Sequence, residues 1–489
     1  MAGIGFELKK LFKEHSLFYD IRAYFISSLV SIGPTCLCIL LITTMQYFMK
    51  VMGESYKSVE YFVTIIVYCF SFSLIITGGF SLLISRYVSD CIYKDNKEKI
   101  VPSLFGILSI VLVIDFTISN LFYINSNISS CVKILSIILL GELSVVWIQS
   151  VYISVLKDYV AILKSFLIGI GNIIIIYFVL SYFIKFSIFY SALFSITFGF
   201  FVMIMLFIKK IIEEFGQNSF NYKECFEVIT SFNKYPYIFI TGFLYYIGMY
   251  IHNFVFWLSP KGITVENTFR VAPFYDIALF YAFLSLMPIT VLFQVKTETA
   301  FYPKYKKYYM VSQEKGNIED INLARSEMIS TLYSELNYLI EMQFIIGLVF
   351  MVFGKKFLPQ IGLAGLPTDI FSILVLGSMS FSIMYIIVVI LLYFDSMVNA
   401  MKISIVFCVL NFLLTLLTLF LGEYFYGFGF FVAALSSFIY SYRKLDSFLK
   451  EIDYYTFASQ PMFIKKVDGF FVRLYHNKIM KGDKLSEKD

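Results

Sequence analysis

The chain has 489 residues, of which 59% are hydrophobic and only 15% are charged, and its mean hydropathy is +0.78. Soluble proteins are roughly 45–50% apolar and about 25% charged, so this composition excludes a soluble domain carried by a single anchor and indicates a polytopic membrane protein. The net charge of +5 is mild, and we expect no nucleic-acid partner.

Motifs for chemistry are missing from the sequence. The seven cysteines lie mostly within apolar runs, where a thiol behaves as a small hydrophobic side chain. No CxxC or Cys/His spacing, no GxSxG, no HExxH and no Gly-rich phosphate loop is present. We therefore expect no disulfide framework, no metal, no cofactor and no catalytic residues.

The chain opens with MAGIGFELKKLFKEHS, whose lysines are typical of the start of a signal peptide. The apolar run that follows is much longer than a cleavable core of about 7–15 residues, and Gly33-Pro34 lies inside it. We therefore expect the opening to be retained. Its apolar and basic faces predict an amphipathic helix at residues 1–20 on the cytoplasmic membrane surface.

Apolar runs of about 20 residues predict about twelve transmembrane helices. In chain order they cover residues 21–48, 61–84, 101–123, 132–156, 160–183, 186–208, 235–258, 274–295, 335–353, 370–394, 403–421 and 425–442. Six helices precede a polar stretch and six follow it, which is the hydropathy pattern of two-lobed transporters with a substrate path between the lobes. We therefore predict an all-α polytopic membrane protein of two six-helix lobes.

This pattern also predicts the domain organisation and the orientation. The segments are an N-lobe at 21–208, a cytoplasmic linker at 209–234, a C-lobe at 235–442 with a cytoplasmic insert at 296–334, and a basic cytoplasmic tail at 443–489. The insert is helix-prone from Ile318 onward, and we expect that part on the membrane surface. Of the 39 Lys and Arg residues, 31 fall on the side of the termini, which predicts that both termini are cytoplasmic.

Polar side chains within apolar spans are costly in lipid and are therefore candidates for the transport path. The candidates are Asp115, Glu142, His252, Arg270, Asp276, Glu341 and Asp395. Glu341 and Asp395 lie near predicted span ends, which favours a local structural role for them. For Asp115 and Glu142 the structural and the functional interpretation are equally open.

Arg270 and Asp276 lie on either side of Pro273, and they could form an ion pair at the non-cytoplasmic mouth of the eighth span. A structural lock and a gate are both open at this point. We expect a central path lined partly by the first, seventh and eighth spans.

Three prolines are expected to bend or begin helices next to this path, because proline removes a helix hydrogen bond where no water can replace it. They are Pro34, Pro236 and Pro288.

Several segments carry a more specific signal. They are the start MAGIGFELKKL, residues 77–106, residues 246–262 (YIGMYIHNFVFWLSPKG), residues 269–309 and residues 391–404 (LLYFDSMVNAMKIS). In collinear order from residue 1 to about 440, the chain resembles the PelG family of Pel exopolysaccharide exporters. One departure is His252-Asn253, which follows GMYI where an acidic residue is expected.

The resemblance implies a MATE/flippase-like fold of the multidrug/oligosaccharidyl-lipid/polysaccharide flippase superfamily, working by alternating access in the cytoplasmic membrane. It also implies a polysaccharide substrate, a cytosolic glycosyltransferase similar to PelF, and membrane partners similar to PelD and PelE. Two other hypotheses stay open. One is a lipid-linked oligosaccharide flippase or a cation-coupled drug antiporter of the same superfamily, and the other is a non-transporting scaffold of a polysaccharide synthase.

Overall fold

The computed structural model describes residues 17–156, 158–216, 222–313, 316–361, 363–458 and 469–475. The predicted surface helix at residues 1–20 lies outside the described residues, except for its last four positions. Of the predicted basic tail, residues 443–458 and 469–475 are described.

Helices form nearly all of the described first half of the chain. They are α1 (Leu17–Val51), α2 (Tyr56–Tyr93), α3 (Ile100–Tyr123), α4 (Ser130–Leu156), α5 (Tyr159–Phe178), α6 (Ile188–Phe215), α7 (Tyr222–Cys225) and α8 (Ser231–Lys234). A 3-10 turn at Lys97–Lys99 leads into α3, and a π-helical turn at Val179–Phe183 ends α5.

The second half is also helical, apart from one hairpin. Its elements are α9 (Pro236–Leu258), β1 (Ile263–Val265), β2 (Phe269–Val271), α10 (Pro273–Phe283), α11 (Leu286–Lys296), α12 (Tyr302–Gln313), α13 (Ile318–Phe357), α14 (Leu366–Tyr393), α15 (Met397–Leu421), α16 (Phe428–Lys450) and α17 (Phe470–Leu474). The two strands pair antiparallel, with Thr264 opposite Arg270.

The predicted spans recur in the structure in chain order. Eleven helical stretches of the described residues are long and apolar enough to cross a membrane. In addition, α1 contains an apolar segment, Cys36–Val51, where the first span was predicted. The prediction of an all-α polytopic membrane fold is therefore confirmed, with the short hairpin as its exception.

The prolines mark three kinds of position. Pro34 lies inside α1, where it removes a helix hydrogen bond. Pro236 is the first residue of α9, a position at which the missing N–H group costs nothing. Pro288 lies in the first turn of α11, just after the predicted eighth span breaks at residues 284–285 into α10 and α11.

The helix-prone segment from Ile318 is not a separate element. It forms the first turns of α13, which runs for 40 residues into the ninth predicted span. No proline interrupts this helix, and its first glycine is Gly347. At 1.5 Å per residue the helix is about 60 Å long, which is about twice the thickness of the hydrocarbon layer.

The described residues fall into two compact units. The unit here called N-terminal contains Gly33–Tyr250, the hairpin segment Ile263–Val271 and the C-terminal residues 469–475. The unit called C-terminal contains Ile251–Gly262 and the described part of Ala272–Met462, together with the first half of α1.

Each unit has its own packed core. In the N-terminal unit α2 packs on α4 and α5 packs on α6, while in the C-terminal unit α14 packs on α10 and α16. Small residues permit the closest approaches: a Cβ atom on Gly242 of α9 would overlap the backbone carbonyl of Gly78 in α2.

Candidate functional site

Asp276 lies in the first turn of α10, which begins at Pro273 after the N-cap residue Ala272. Its carboxylate accepts hydrogen bonds from the backbone N of Ala272 (2.9 Å), Nδ2 of Asn253 (2.8 Å) and Nε1 of Trp257 (2.8 and 2.9 Å to its two oxygens). The charge also complements the positive end of the helix dipole. Donors within the C-terminal unit therefore hold this carboxylate in place.

His252 lies one position before Asn253 and is fully buried in the C-terminal unit. Its Nδ1 atom is 2.8 Å from the hydroxyl oxygen of Tyr275, and the centroid of its ring is 4.7 Å from the ring centroid of Phe430. The Tyr275 ring in turn stacks on Phe256, with 4.0 Å between the ring centroids. Successive turns of α9 thus place His252 and Phe256 against Tyr275 of α10. The amide of Asn253 lies against the next residue of α10, Asp276.

Arg270 lies in β2, and its backbone is bound by a side chain of α2. The hydroxyl of Tyr68 accepts a hydrogen bond from the Arg270 backbone N (2.9 Å) and donates one to the Arg270 carbonyl O (2.6 Å). The neighbouring Phe269 is fully buried, with its ring 5.0 Å from that of Tyr68 in an edge-to-face arrangement. These contacts fix the hairpin to the N-terminal unit.

The hairpin is a structural element that sequence reasoning missed. The three-residue loop 266–268 is closed by a hydrogen bond from the Thr268 N–H to the Val265 carbonyl, and the two central residues of that turn, Glu266 and Asn267, both have φ of 49°, in the left-handed region that a type I′ turn requires. Asn tolerates this region, and β-branched residues flank the turn in Ile263–Val265. This pattern could have predicted the hairpin from the sequence. The signal is weak because Thr268 follows Asn267, whereas Asn-Gly is the pair typical of a hairpin turn.

The predicted ion pair between Arg270 and Asp276 involves residues of different compact units, and it stays a prediction. The structure adds that each residue is already held by partners in its own unit: the Arg270 backbone by Tyr68, and the Asp276 carboxylate by three donor groups.

Asp115 of α3 and Glu142 of α4 line one cavity of about 550 Å³ in the N-terminal unit. The Asp115 side chain is only 2% exposed, and neither of its carboxylate oxygens has a hydrogen-bond partner among the described residues. The same holds for Oε2 of Glu142. The fold thus brings together two candidates that lie 27 positions apart in the sequence.

The cavity does not have the composition of a metal site. Within the described ranges of the chain, no group of three or more His, Cys, Asp or Glu side chains is arranged to hold a metal ion. Apart from its two acids, the cavity is lined by glycine and apolar side chains.

Glu341 and Asp395 lie apart from both clusters. Glu341 is exposed within α13, which continues past it to Phe357. Asp395 is exposed in the turn between α14 and α15 and has a φ of 61°, a conformation that Asp tolerates. The local interpretation of Asp395 as a residue at a helix end agrees with this geometry.

A polar cluster ties the predicted linker to the end of α2. Lys234 donates a hydrogen bond to Asp90 (2.9 Å), and the hydroxyl of Tyr235 donates another to the same carboxylate (2.6 Å). Burial by itself would lower the pKa of Lys234, but the hydrogen bond and the charge of Asp90 raise this pKa overall. A second pair joins Lys99 to Glu227 at 2.8 Å.

Part of the C-terminal tail binds to the same linker. Oδ1 of Asn233 accepts hydrogen bonds from the backbone N of Phe471 (2.8 Å) and of Val472 (3.1 Å). The rings of Phe471 and Phe232 lie 5.3 Å apart. Nothing in the sequence pattern indicated this contact, because it joins positions more than 230 residues apart.

The sequence model of the PelG family, described as "Putative exopolysaccharide Exporter (EPS-E)", matches residues 1–457. The chain belongs to the PelG family. The resemblance carried by the five segments quoted above is thereby confirmed. A comparison with proteins of curated function finds no match to the sequence.

Solved transporters share the fold of this PelG-family chain. A Vibrio cholerae MATE transporter is 12% identical, with a TM-score of 0.61 over 91% of this chain and 98% of its own. An outward-facing multidrug resistance MATE transporter is 16% identical, with a TM-score of 0.58 over 88% and 96%. A MOP superfamily transporter from Pyrococcus furiosus, described as having a binding pocket of reversed polarity, is 15% identical, with a TM-score of 0.56 over 88% and 96%.

These identities are low, so the solved structures establish the fold and nothing finer. Together with membership of the PelG family, the fold identifies a multi-pass membrane transporter of MATE-like architecture.

Proposed function

We propose that this protein exports a Pel-like exopolysaccharide across the cytoplasmic membrane by alternating access, without catalysing a reaction itself. The observation that carries the proposal is the match of the PelG family model to residues 1–457, which includes both compact units. Solved MATE transporters of the same fold are described in outward-facing and in inward-facing conformations, which supports alternating access as the mode of action.

The orientation follows from the placement of basic residues. With 31 of 39 Lys and Arg residues on the side of the termini, both termini face the cytoplasm of an inner-membrane protein. Single cysteines at Ser312 and Lys356 in a cysteine-free background test this orientation. An impermeant thiol reagent applied to intact cells should label position 356 and not position 312, and the opposite result would reverse the orientation.

The polymer reaches the exporter from a cytosolic glycosyltransferase similar to PelF, with membrane partners similar to PelD and PelE. The predicted cytoplasmic surface offers a large basic area for such contacts, since ten Lys and Arg residues lie in 443–488. Co-purification of the tagged full chain from its own host checks for the glycosyltransferase.

Deletion of the gene, with separate measurement of polymer inside and outside the cell, tests the function. Export predicts that polymer is still made, accumulates in the cytosol and is lost from the medium, and that the intact gene restores secretion. If the protein is a scaffold, synthesis itself should stop. Normal secretion after deletion would contradict both hypotheses.

A second candidate function is favoured by the solved relatives, because one of them is described as a multidrug resistance transporter. A cation-coupled drug antiporter would lower the drug susceptibility of a host that expresses it, and its deletion would leave polymer secretion unchanged. A lipid-linked oligosaccharide flippase would instead cause accumulation of the lipid-linked precursor. These outcomes separate the three transport functions.

A further inference from the structure

The cavity of Asp115 and Glu142 opens at the surface of the N-terminal unit, where Val113 and Phe116 of its lining are exposed, while Asp115 itself is buried. Asp115 is eight residues before the end of α3 at Tyr123, and Glu142 is twelve residues after the start of α4 at Ser130. At 1.5 Å per residue these positions are about 12 and about 18 Å from the connected helix ends. Both carboxyl groups therefore lie near the middle of a hydrocarbon layer about 30 Å thick.

The surroundings offer no charge that would neutralise a carboxylate. None of the cavity-lining residues is Lys, Arg or His. Glu142 of α4 lines the same cavity, the Cys69 thiol of α2 and the Ser144 hydroxyl of α4 lie near enough to interact with Asp115, and α6 contributes only Ile204 to the lining. Since one hydroxyl is a weak substitute for water and no cation lines the cavity, the neutral acid is the form that this cavity accommodates.

Buried polar side chains continue from the cavity toward both helix ends. Toward the Tyr123 end, Ser119 lies one helical turn from Asp115 and lines a smaller cavity of about 50 Å³ with Tyr123 and Ser136. That volume is sufficient for water molecules, which need about 10–15 Å³ each.

Toward the other end, Gln149 lies on the same face of α4 as Glu142, two turns further along. It is fully buried, and neither its amide oxygen nor its amide nitrogen has a hydrogen-bond partner in the described part of the chain. One turn later the Tyr152 hydroxyl lies 3.0 Å from the hydroxyl of Ser103. These buried polar groups follow one another along α3 and α4 on both sides of the two acids.

We propose that Asp115 and Glu142 form a proton-binding site in this cavity of the N-terminal unit, with the buried polar side chains of Ser119 on one side and Gln149 on the other. The site takes protons, since the cavity supplies two acids and no further ligand for a metal ion. Only an O–H bond forms and breaks on the carboxyl oxygen. The use of this site to drive a transport cycle rests on the proposed export function, whereas proton binding does not.

Labelling with N,N′-dicyclohexylcarbodiimide tests proton binding, because this apolar reagent adds to protonated carboxyl groups in membranes. The purified full chain in lipid nanodiscs should give an adduct on the peptide of Asp115 or of Glu142. Labelling should fall about tenfold for each pH unit above the pKa of the site. Asp115→Asn and Glu142→Gln should each remove their own adduct, and Asp115→Glu should retain a pH-dependent one.

Asp276 in the same preparation is the internal comparison, since three donor groups already occupy its carboxylate oxygens, and it should be labelled less than Asp115. Three results would each overturn the proposal: no adduct at either acid, labelling that does not change with pH, or protection by sodium at constant pH, which would indicate a metal cation instead. All of these readouts are independent of polymer export, so failure of one hypothesis is distinguishable from failure of the other.

Discussion

Two aspartates, one in each unit, have opposite surroundings. Asp276 in the C-terminal unit accepts hydrogen bonds from a backbone amide, an indole and a side-chain amide. Asp115 in the N-terminal unit is 2% exposed, and neither of its oxygens has a partner in the described residues. Both lie within apolar stretches of sequence, and the sequence alone places them in the same class of candidates.

The difference separates two reasons for keeping an acid in a membrane. The Asp276 carboxylate accepts hydrogen bonds from donors that would otherwise be unpaired. Its presence is therefore explained by the stability that it gives to the packing of α9 against the start of α10. Asp115 has no comparable set of donors, since in the described residues only the Ser144 hydroxyl lies near enough to interact with it, so a chemical role accounts for its presence better than stability does. A gate role for Asp276 remains compatible with its contacts, but it is not needed to explain them.

The largest effect on stability is expected from Asp276→Ala. The change leaves the Ala272 amide, the Trp257 indole and the Asn253 amide without their acceptor, at a cost on the order of 3 kcal/mol. Protein abundance in the membrane should fall, and export should fall in step with it. Thermal unfolding of purified protein, followed by the fluorescence of its two tryptophans, measures the loss of stability.

Asp276→Asn is the matched control, because it keeps one acceptor oxygen and should cost less. Arg270→Gln tests the predicted gate in parallel. Reduced export at normal abundance in both Arg270→Gln and Asp276→Asn would establish a gate pair. Normal abundance together with normal unfolding in Asp276→Ala would contradict the structural role assigned here.

Tyr68→Phe should have the next largest effect. It removes one hydroxyl that bonds both the backbone N and the carbonyl O of Arg270, at a cost of about 1–2 kcal/mol. Proteolysis at the hairpin of the purified protein should become faster. Tyr61→Phe is the control: its ring also packs on Phe269, but among the described residues its hydroxyl makes no hydrogen bond to the hairpin. Equal proteolysis of the two variants would contradict the role of the Tyr68 hydroxyl.

A third aspartate, Asp90, lies between the two extremes, because it is partly exposed and paired with Lys234. Lys234→Met should cost about 0.5–1 kcal/mol at neutral pH, as is usual for partly exposed pairs. The folded state raises the pKa of Lys234, so the contribution of this lysine is complete below the ordinary lysine pKa of about 10.4 and is lost at higher pH. Unfolding of variant and wild type should therefore differ at neutral pH and converge in strongly alkaline buffer, and a difference that grew with pH would contradict the pairing.

The sequence was enough to predict the features that hydropathy determines. It was not enough to predict the features that depend on contacts between distant residues. Each predicted span recurs because an apolar run in lipid has to satisfy its backbone within its own helix. The break of the eighth span depends on local geometry at residues 284–285, and the continuity of α13 on local geometry within Ile318–Phe357, which an average over a span does not resolve. Asp115 and Asp276 were both identified as candidates, but only the three-dimensional neighbours show which one has partners.

Asp115→Asn should have the smallest effect on stability and the clearest effect on function. Asn has nearly the same shape and keeps an oxygen that the nearby Ser144 hydroxyl can approach, so unfolding should change by less than about 0.5 kcal/mol and abundance should be normal. If protonation of this site drives transport, export should nevertheless fail, because an amide cannot bind and release a proton in this pH range. Glu319→Gln, at an exposed acid of α13 that is not a transport-path candidate, is the control and should alter neither abundance nor export. Measurement of secreted polymer against membrane abundance for the two variants decides the point: normal export by Asp115→Asn would remove the site from the transport cycle, and a loss of stability as large as that of Asp276→Asn would show that the two aspartates do not differ in kind.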